Sequence, residues 1–225
     1  MARLTWDNIG ERLFETGVKN GVVYLYDDQT KAYTDGEAWN GLVSIAESPS
    51  GAEPTALWAN DAKYGELLSA EEFGGTIEAY TYPDNFAICD GSAELVPGVR
   101  VRQQARKAFG MTYRTTLAND TDGYDHGYVI HLVYGCKASP SEKTNSTIND
   151  SPEANTMSWE FTTTPVDVGT GFSKTSHIEI NSTKFADEAG KAKLAALEDI
   201  LYGGESTTAR LPLPEELKTI LGSAA

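Results

Sequence analysis

Few side chains in this 225-residue chain combine the type and the spacing that chemistry needs. Asp120, Asp122 and Asp125 surround Gly123 and resemble a calcium loop, because hard cations want several oxygens from one tight turn. The spacing fails the EF-hand pattern, since the twelfth position from Asp120 holds His131 where a bidentate glutamate is needed. A turn rich in Asp and Gly explains the same residues by backbone need alone. His126, His131 and His177 include no pair at a helical ligand spacing and read as strand residues. Cys89 and Cys136 lack a local catalytic signature, no Gly-x-Ser-x-Gly elbow exposes a serine, and GTGFSKTS lacks the gap and ending of a phosphate loop. The remaining pair is Glu78 and Glu160, acids on the polar faces of separate strands. Glycosidases require two opposed carboxylates roughly 5 to 9.5 Å apart. A β-sandwich carbohydrate-active enzyme or carbohydrate-binding module using Glu78 and Glu160 is therefore the alternative reading, although exposed Glu on a strand is commonplace. No metal and no cofactor is predicted.

The elements that position these residues are mostly strands. HGYVIHLVYG places Tyr128, Ile130, Leu132 and Tyr134 on one face and Val129 and Val133 on the other, so it is apolar on both sides and central. NTMSWEFTTTP alternates Met157, Trp159 and Phe161 with polar residues, the pattern of a strand with one buried face. Together they predict a β-hairpin whose connection, 137–154, far exceeds the two to five residues a hairpin needs. Such a loop is costly to order unless it touches another molecule. Three strands carry a polar face: Thr76 with Glu78; Thr112 with Arg114 and Thr116; Ser158 with Glu160 and Thr162. GVVYLYDD and 33–47 also read as strands, behind an amphipathic lead-in over 4–20. Residues 47–67 read as a loop anchored by Trp58 and Tyr64, and Ser69 with Glu72 has capping-box spacing for a helical turn. Helical periodicity appears at Leu194, Leu197, Ile200 and Leu201, stopped by Gly203-Gly204, and Pro214 suits a helix N1 position.

The bulk composition allows one domain over 1–225, with 184–225 as a C-terminal helix and tail packed on it. Its 18 basic and 33 acidic residues give a net charge of -15, which opposes binding to phosphate backbones. The N-terminus shows no apolar targeting region and no run is long enough to span a bilayer, so synthesis in the cytoplasm, free thiols and no membrane partner are expected.

ALWANDAKYGELLSAEEFGGTIEAYTYPDNFAICDGS, RKAFGMTYRT, HLVYGCKASPSEKTNSTINDSPEANTMSWEFTTTPV, AKLAALEDILYG and RLPLP, in this order, resemble the major tail protein of long-tailed bacteriophages. The resemblance covers most of the chain. It implies a mainly β fold, a sandwich or barrel-like tail tube fold with a flanking α-helix and long loops, and a structural virion protein rather than an enzyme. It also implies hexameric rings that stack into a tube through which DNA passes without specific binding. The implied partners are further copies of the chain, the tape measure protein, the tail terminator and distal tail proteins. On this reading Glu78, Arg114 and Glu160 are candidates to line the lumen, with Arg114 restrained by a cross-strand carboxylate. Trp58, Lys137, Ser141, Glu142, Lys143, Asn149 and Asp150 are candidates for contacts between subunits.

Overall fold

A computed structural model describes residues 3–148, 150 and 154–222. In chain order the strands are β1 (Phe14–Asp27), β2 (Ala32–Ala38), β3 (Leu42–Glu47), β4 (Ser50–Gly51), β5 (Pro54–Ala59), β6 (Ala62–Leu68), β7 (Glu71–Glu72), β8 (Gly74–Ala79), β9 (Ser92–Val96), β10 (Val99–Arg102), β11 (Phe109–Asn119), β12 (Gly123–Ala138), β13 (Met157–Thr162) and β14 (His177–Asn181). The helices are α1 (Phe86–Cys89), α2 (Glu188–Tyr202) and α3 (Pro214–Leu221).

β12 is the strand on which the other strands are hung. It pairs with β11 along one edge and with β14 along the other, and its end pairs with β13 through Lys137 and Ala138. One larger sheet therefore runs β2-β1-β11-β12-β14, and a smaller one runs β12-β13-β8-β3. The crossing point is Gly135, at φ +65°, where a Cβ would lie 2.2 Å from the Thr164 carbonyl oxygen. Only glycine tolerates both the left-handed backbone and that approach. The predicted hairpin is thus present, but its two strands share only a short ladder before diverging.

The larger sheet is covered on both faces. On one side Val23, Met111, Tyr113 and Val133 meet Ile77, Ala79, Trp159 and Phe161 of the smaller sheet, with Trp39 and the Phe86 and Cys89 side chains of α1 filling the end. On the other side Val22, Tyr24, Ile130, Leu132, Tyr134 and Ile180 meet Leu194, Leu197 and Leu201 of α2 and Leu217 of α3. The period-2 and helical patterns of those segments appear here as packed faces. The polar-face expectation for β11 is corrected: Thr112 and Thr116 are buried, because α2 covers the side that alternation marked as wet. The Thr112 hydroxyl is satisfied by donating to the His131 carbonyl at 2.8 Å.

Other expectations also need correction. Residues 47–67 are not an anchored loop but the root, the first strand and most of the second strand of a long hairpin. Ser69 and Glu72 start no helix, since β7 pairs with β4 there. The N-terminal lead-in gives way to β1 at Phe14 rather than forming an amphipathic element.

α3 is held at its start by Arg210, which clamps Glu216 with two hydrogen bonds, one of 2.8 Å from Nη1 to Oε2. The guanidinium holds the Glu216 carboxyl below the usual carboxylate range. A lowered native pKa contributes stability above the unfolded value, about 4.3, and loses it as pH falls through the native value. Both side chains are more than a third exposed, so the pair is worth at most about 1 kcal/mol. Protection of the amides across 214–221, taken relative to their intrinsic exchange rates, should therefore fall as pH drops below about 4. In Glu216→Gln protection should be lower already at neutral pH, without that acid step.

Candidate functional site

The smaller sheet has one buried and one open face. Register places Ser158 beside Glu78 and Glu160 beside Thr76, and Ser44 of β3 also lies beside Glu78. Ser44, Thr76, Glu78, Ser158, Glu160 and Thr162 thus form a continuous polar surface, opposite the face that buries Ile77, Trp159 and Phe161. Glu78 accepts a hydrogen bond from the Ser44 hydroxyl at 2.9 Å, and Glu160 is exposed. The two acids are side by side on adjacent strands of one open face. A glycosidase needs them opposed across a substrate, which this placement does not provide.

Arg114 is not with them. It lies under α2 on the far side of the larger sheet, with its guanidinium 3.4 Å from the centroid of the Tyr128 ring and 3.5 Å from Glu198 Oε1. Tyr128 donates to the same Glu198 oxygen at 2.6 Å. The carboxylate that restrains Arg114 comes from a helix, not from a neighbouring strand, and the cluster ties α2 to the sheet.

Between β3 and β8 the chain leaves the body as a two-stranded arm. Its root is closed by Ser48 N–H donating to the Gly74 carbonyl at 2.8 Å, β4 pairs with β7, and β5 pairs with β6. Asn60 and Asp61, at φ +50° and +61°, turn the tip with both central residues left-handed, the arrangement of a tight two-residue hairpin. No third strand lies alongside among the described residues. At about 3.3 Å per residue, residues 48–60 reach up to about 40 Å. Trp58 and Tyr64 do not anchor it: they are 70% and 79% exposed, and Leu57, Leu67 and Leu68 are exposed as well. The Asn-Asp pair between apolar runs was the legible signal for this hairpin, masked by the Pro, Gly and Ser before it.

The loop after β12 begins by continuing the ladder, with Ser139 N–H donating to the Glu160 carbonyl at 2.7 Å. Ser141, Glu142 and Lys143 then fold back over the end of the core and line a shallow hollow with Tyr82, Arg102 and Trp159. Lys137 and Asp150 are exposed, and Asn149 lies outside the described residues.

The Asp-rich turn uses its oxygens on the chain itself. Asn119 Oδ1 accepts from the Thr121 and Asp122 amides at 3.1 and 2.6 Å, Asp120 accepts from the Gly10 amide at 2.9 Å, and Asp122 lies 3.1 Å from His126 Nδ1. Both cysteines are free and buried. Burial pushes the Cys89 thiol up to about 12 and the Cys136 thiol well above its ordinary value, so neither is a nucleophile at neutral pH. His131 and His177, distant in sequence, meet at one end of the sandwich.

No protein-family profile matches the chain, and no curated protein sequence does. Among solved structures, the chain is similar to the SPP1 tail tube, determined by solid-state NMR and cryo-EM, at 11% identity and a TM-score of 0.39, over 72% of this chain and 77% of that one. It is also similar to a chain of the PVC sheath–tube complex, an extracellular contractile injection system in its extended state, at 11% identity and a TM-score of 0.31, over 72% of this chain and 88% of that one.

Proposed function

We propose that this chain is the structural subunit of a phage tail tube, forming hexameric rings that stack into the conduit for genome delivery. The observation that carries this reading is the arm. An isolated two-stranded ribbon is marginal in water, and this one displays Trp58, Tyr64, Leu67 and Leu68 to solvent. A neighbouring subunit that covers the arm both orders it and buries its apolar side chains. The long sequence phrases that resemble the major tail protein support the same reading.

The open face of the smaller sheet fits the interior of such a tube. Three or four strands from each of six subunits make about 18 to 24, matching or exceeding the roughly 16 to 18 that already leave an aqueous channel. Glu78 and Glu160 then line the lumen, while Arg114, under α2, plays no part in it. Head-to-tail contacts both close rings and propagate stacks, and the arm with the 137–154 loop supplies two such contacts. Tape measure, terminator and distal tail proteins are the remaining partners in a virion tail assembled in the host cytoplasm. Among the described residues no helix is long and apolar enough to cross a membrane.

Concentrated purified protein should give rings or tubes in electron micrographs and fast-sedimenting species. Persistence as a monomer under every assembly condition, tail partners included, contradicts the proposal. A lumen must pass DNA without gripping it, and at physiological salt charges act over only about 8 Å, so acid placement matters more than the net charge. Replacing both Glu78 and Glu160 with lysine is expected to leave the subunit folded, since Glu160 is exposed and half-buried Glu78 gives up one side-chain hydrogen bond, a loss of about 1 kcal/mol. In assembled particles the same change should slow DNA ejection, more strongly at low salt. Unaltered ejection places these side chains off the path.

A further inference from the structure

We propose that Glu47, His131 and His177 form a binding site for a divalent transition metal ion of the zinc class. The three residues come from β3, β12 and β14, so their meeting is a product of the fold. His131 and Glu179 are cross-strand partners, and His177 follows two residues before Glu179 on the same face. Their side chains turn into the end of the sandwich, where β3 finishes at Glu47.

The geometry at His131 fixes which nitrogen is free. The Thr115 hydroxyl donates to Glu15 Oε1, a carboxylate oxygen that has no proton to give. Thr115 Oγ1 also lies 3.0 Å from His131 Nε2, so the threonine oxygen, its own proton already used, accepts from Nε2–H. Nδ1 is left with its lone pair. That lone pair faces His177 Nε2 at 3.2 Å. Two nitrogens bound to one tetrahedral zinc at about 2.0 to 2.1 Å lie roughly 3.3 Å apart. The pair is therefore spaced as two ligands of one ion. Glu47 supplies the oxygen: its Oε1 lies 3.7 Å from His131 Nδ1, and ligand atoms of the three residues fall within 4.8 Å of one another. Glu47 Oε2 lies 3.9 Å from His177 Nδ1, so the carboxylate must swing toward Nε2 to complete a three-ligand set that leaves a fourth position for water.

The surroundings support these ligands as metal sites usually do. A metal-bound histidine donates its other N–H to a carboxylate or hydroxyl, and His131 Nε2 has Thr115 and Glu15 for that purpose, the latter at 3.3 Å. Tyr113 stacks on His131 with ring centroids 4.5 Å apart and donates to Glu47 Oε1 at 2.5 Å. Phe73 stacks on His177 at 4.7 Å. Glu15, Glu47 and Glu179 surround the two imidazoles with negative charge, which suits a dication. Glu47 directly precedes the arm and Phe73 directly follows it, so the ion would fix the arm's root against both sheets.

The test uses the full chain, freed of metal by chelator, with Co2+ as the spectroscopic probe. The expected result is one Co2+ per chain with the intense visible bands of a four-coordinate site, displaced by Zn2+ and not by millimolar Mg2+ or Ca2+. His177→Gln and Glu47→Gln should each weaken binding on the order of 100-fold or more, at least the cost of losing a supporting hydrogen-bond partner. Circular dichroism of both variants checks that they fold. Zn2+ should also protect His177 of the unaltered chain from carbethoxylation, a readout that needs no variant. Absence of stoichiometric uptake, or uptake that survives both substitutions, overturns the site and leaves a plain N–H···N hydrogen bond between the imidazoles.

Discussion

A chain lacking residues 53–69, the outer part of the arm, is expected to fold and fail to polymerise. Removing this segment joins β4 to β7 through a short turn and leaves both body sheets untouched. It takes away Leu57, Trp58, Tyr64, Leu67 and Leu68, whose apolar surface has no cover among the described residues. A buried aromatic side chain removes on the order of 150 Å² or more from water, so Trp58 and Tyr64 each offer roughly 4 kcal/mol of burial before ordering costs. In the proposed ring, contacts of that size repeat at every subunit and would decide between monomer and tube. The milder double change of Trp58→Asp and Tyr64→Asp should act in the same direction, since it makes the interface bury charge. Both proteins should keep the native circular dichroism spectrum and thermal midpoint within a few degrees, because these exposed side chains contribute little to the monomer. Normal tubes from the deletion variant would move the subunit contact elsewhere, with the 137–154 loop the next candidate.

Phe86→Ala should lower the stability of the subunit by about 3 to 5 kcal/mol. Phe86 is fully buried, and its ring lies 4.6 Å from Trp39, 5.5 Å from Trp159 and 5.3 Å from Phe109, centroid to centroid. The indoles around it cannot easily collapse into the space it leaves. Trp39 Nε1 donates to the Thr81 carbonyl at 2.9 Å and Trp159 Nε1 to Asp90 Oδ1 at 3.2 Å, and Asp90 is in turn held by Arg102 at 3.2 Å. Movement of either ring therefore breaks a buried hydrogen bond as well. Urea unfolding, read by tryptophan fluorescence, measures the loss. A change below about 1 kcal/mol would mean that this end of the core relaxes freely.

Alternation made the strands that bury one face legible. Trp159 and Phe161 against Ser158 and Glu160, and Ile77 and Ala79 against Thr76 and Glu78, lie as period 2 requires. It misled at β11, because a threonine face reads as wet whether water or a helix covers it. Burying Thr112 needs only one local hydrogen bond, and nothing in the sequence announces where α2 will dock. Arg114 is subject to the same ambiguity: a cation on a strand reads as surface, and the structure covers it with Tyr128 and Glu198.

The arm was missed for a different reason. Its strands contain Pro54 and Gly65 and have no buried face to impose alternation, so the Asn60-Asp61 turn was the one local mark of a hairpin. α1 and the β9–β10 hairpin, turned at Pro97-Gly98, passed unmarked because each is too short for periodicity to register. The histidine cluster was out of reach altogether. His131 and His177 are 46 residues apart on strands whose pairing register sets them together, and no spacing rule spans such a distance.

The most direct measurement is a cryo-EM reconstruction of the particles formed by purified chain, at a resolution that traces side chains. The expected result is a ring of six subunits with the smaller sheets joined around the channel, Glu78 and Glu160 pointing inward, and Trp58 and Tyr64 buried against a neighbour. An assembly with the Glu78 and Glu160 face on the outside and the arm free in solvent, or no ordered assembly at all, would contradict it.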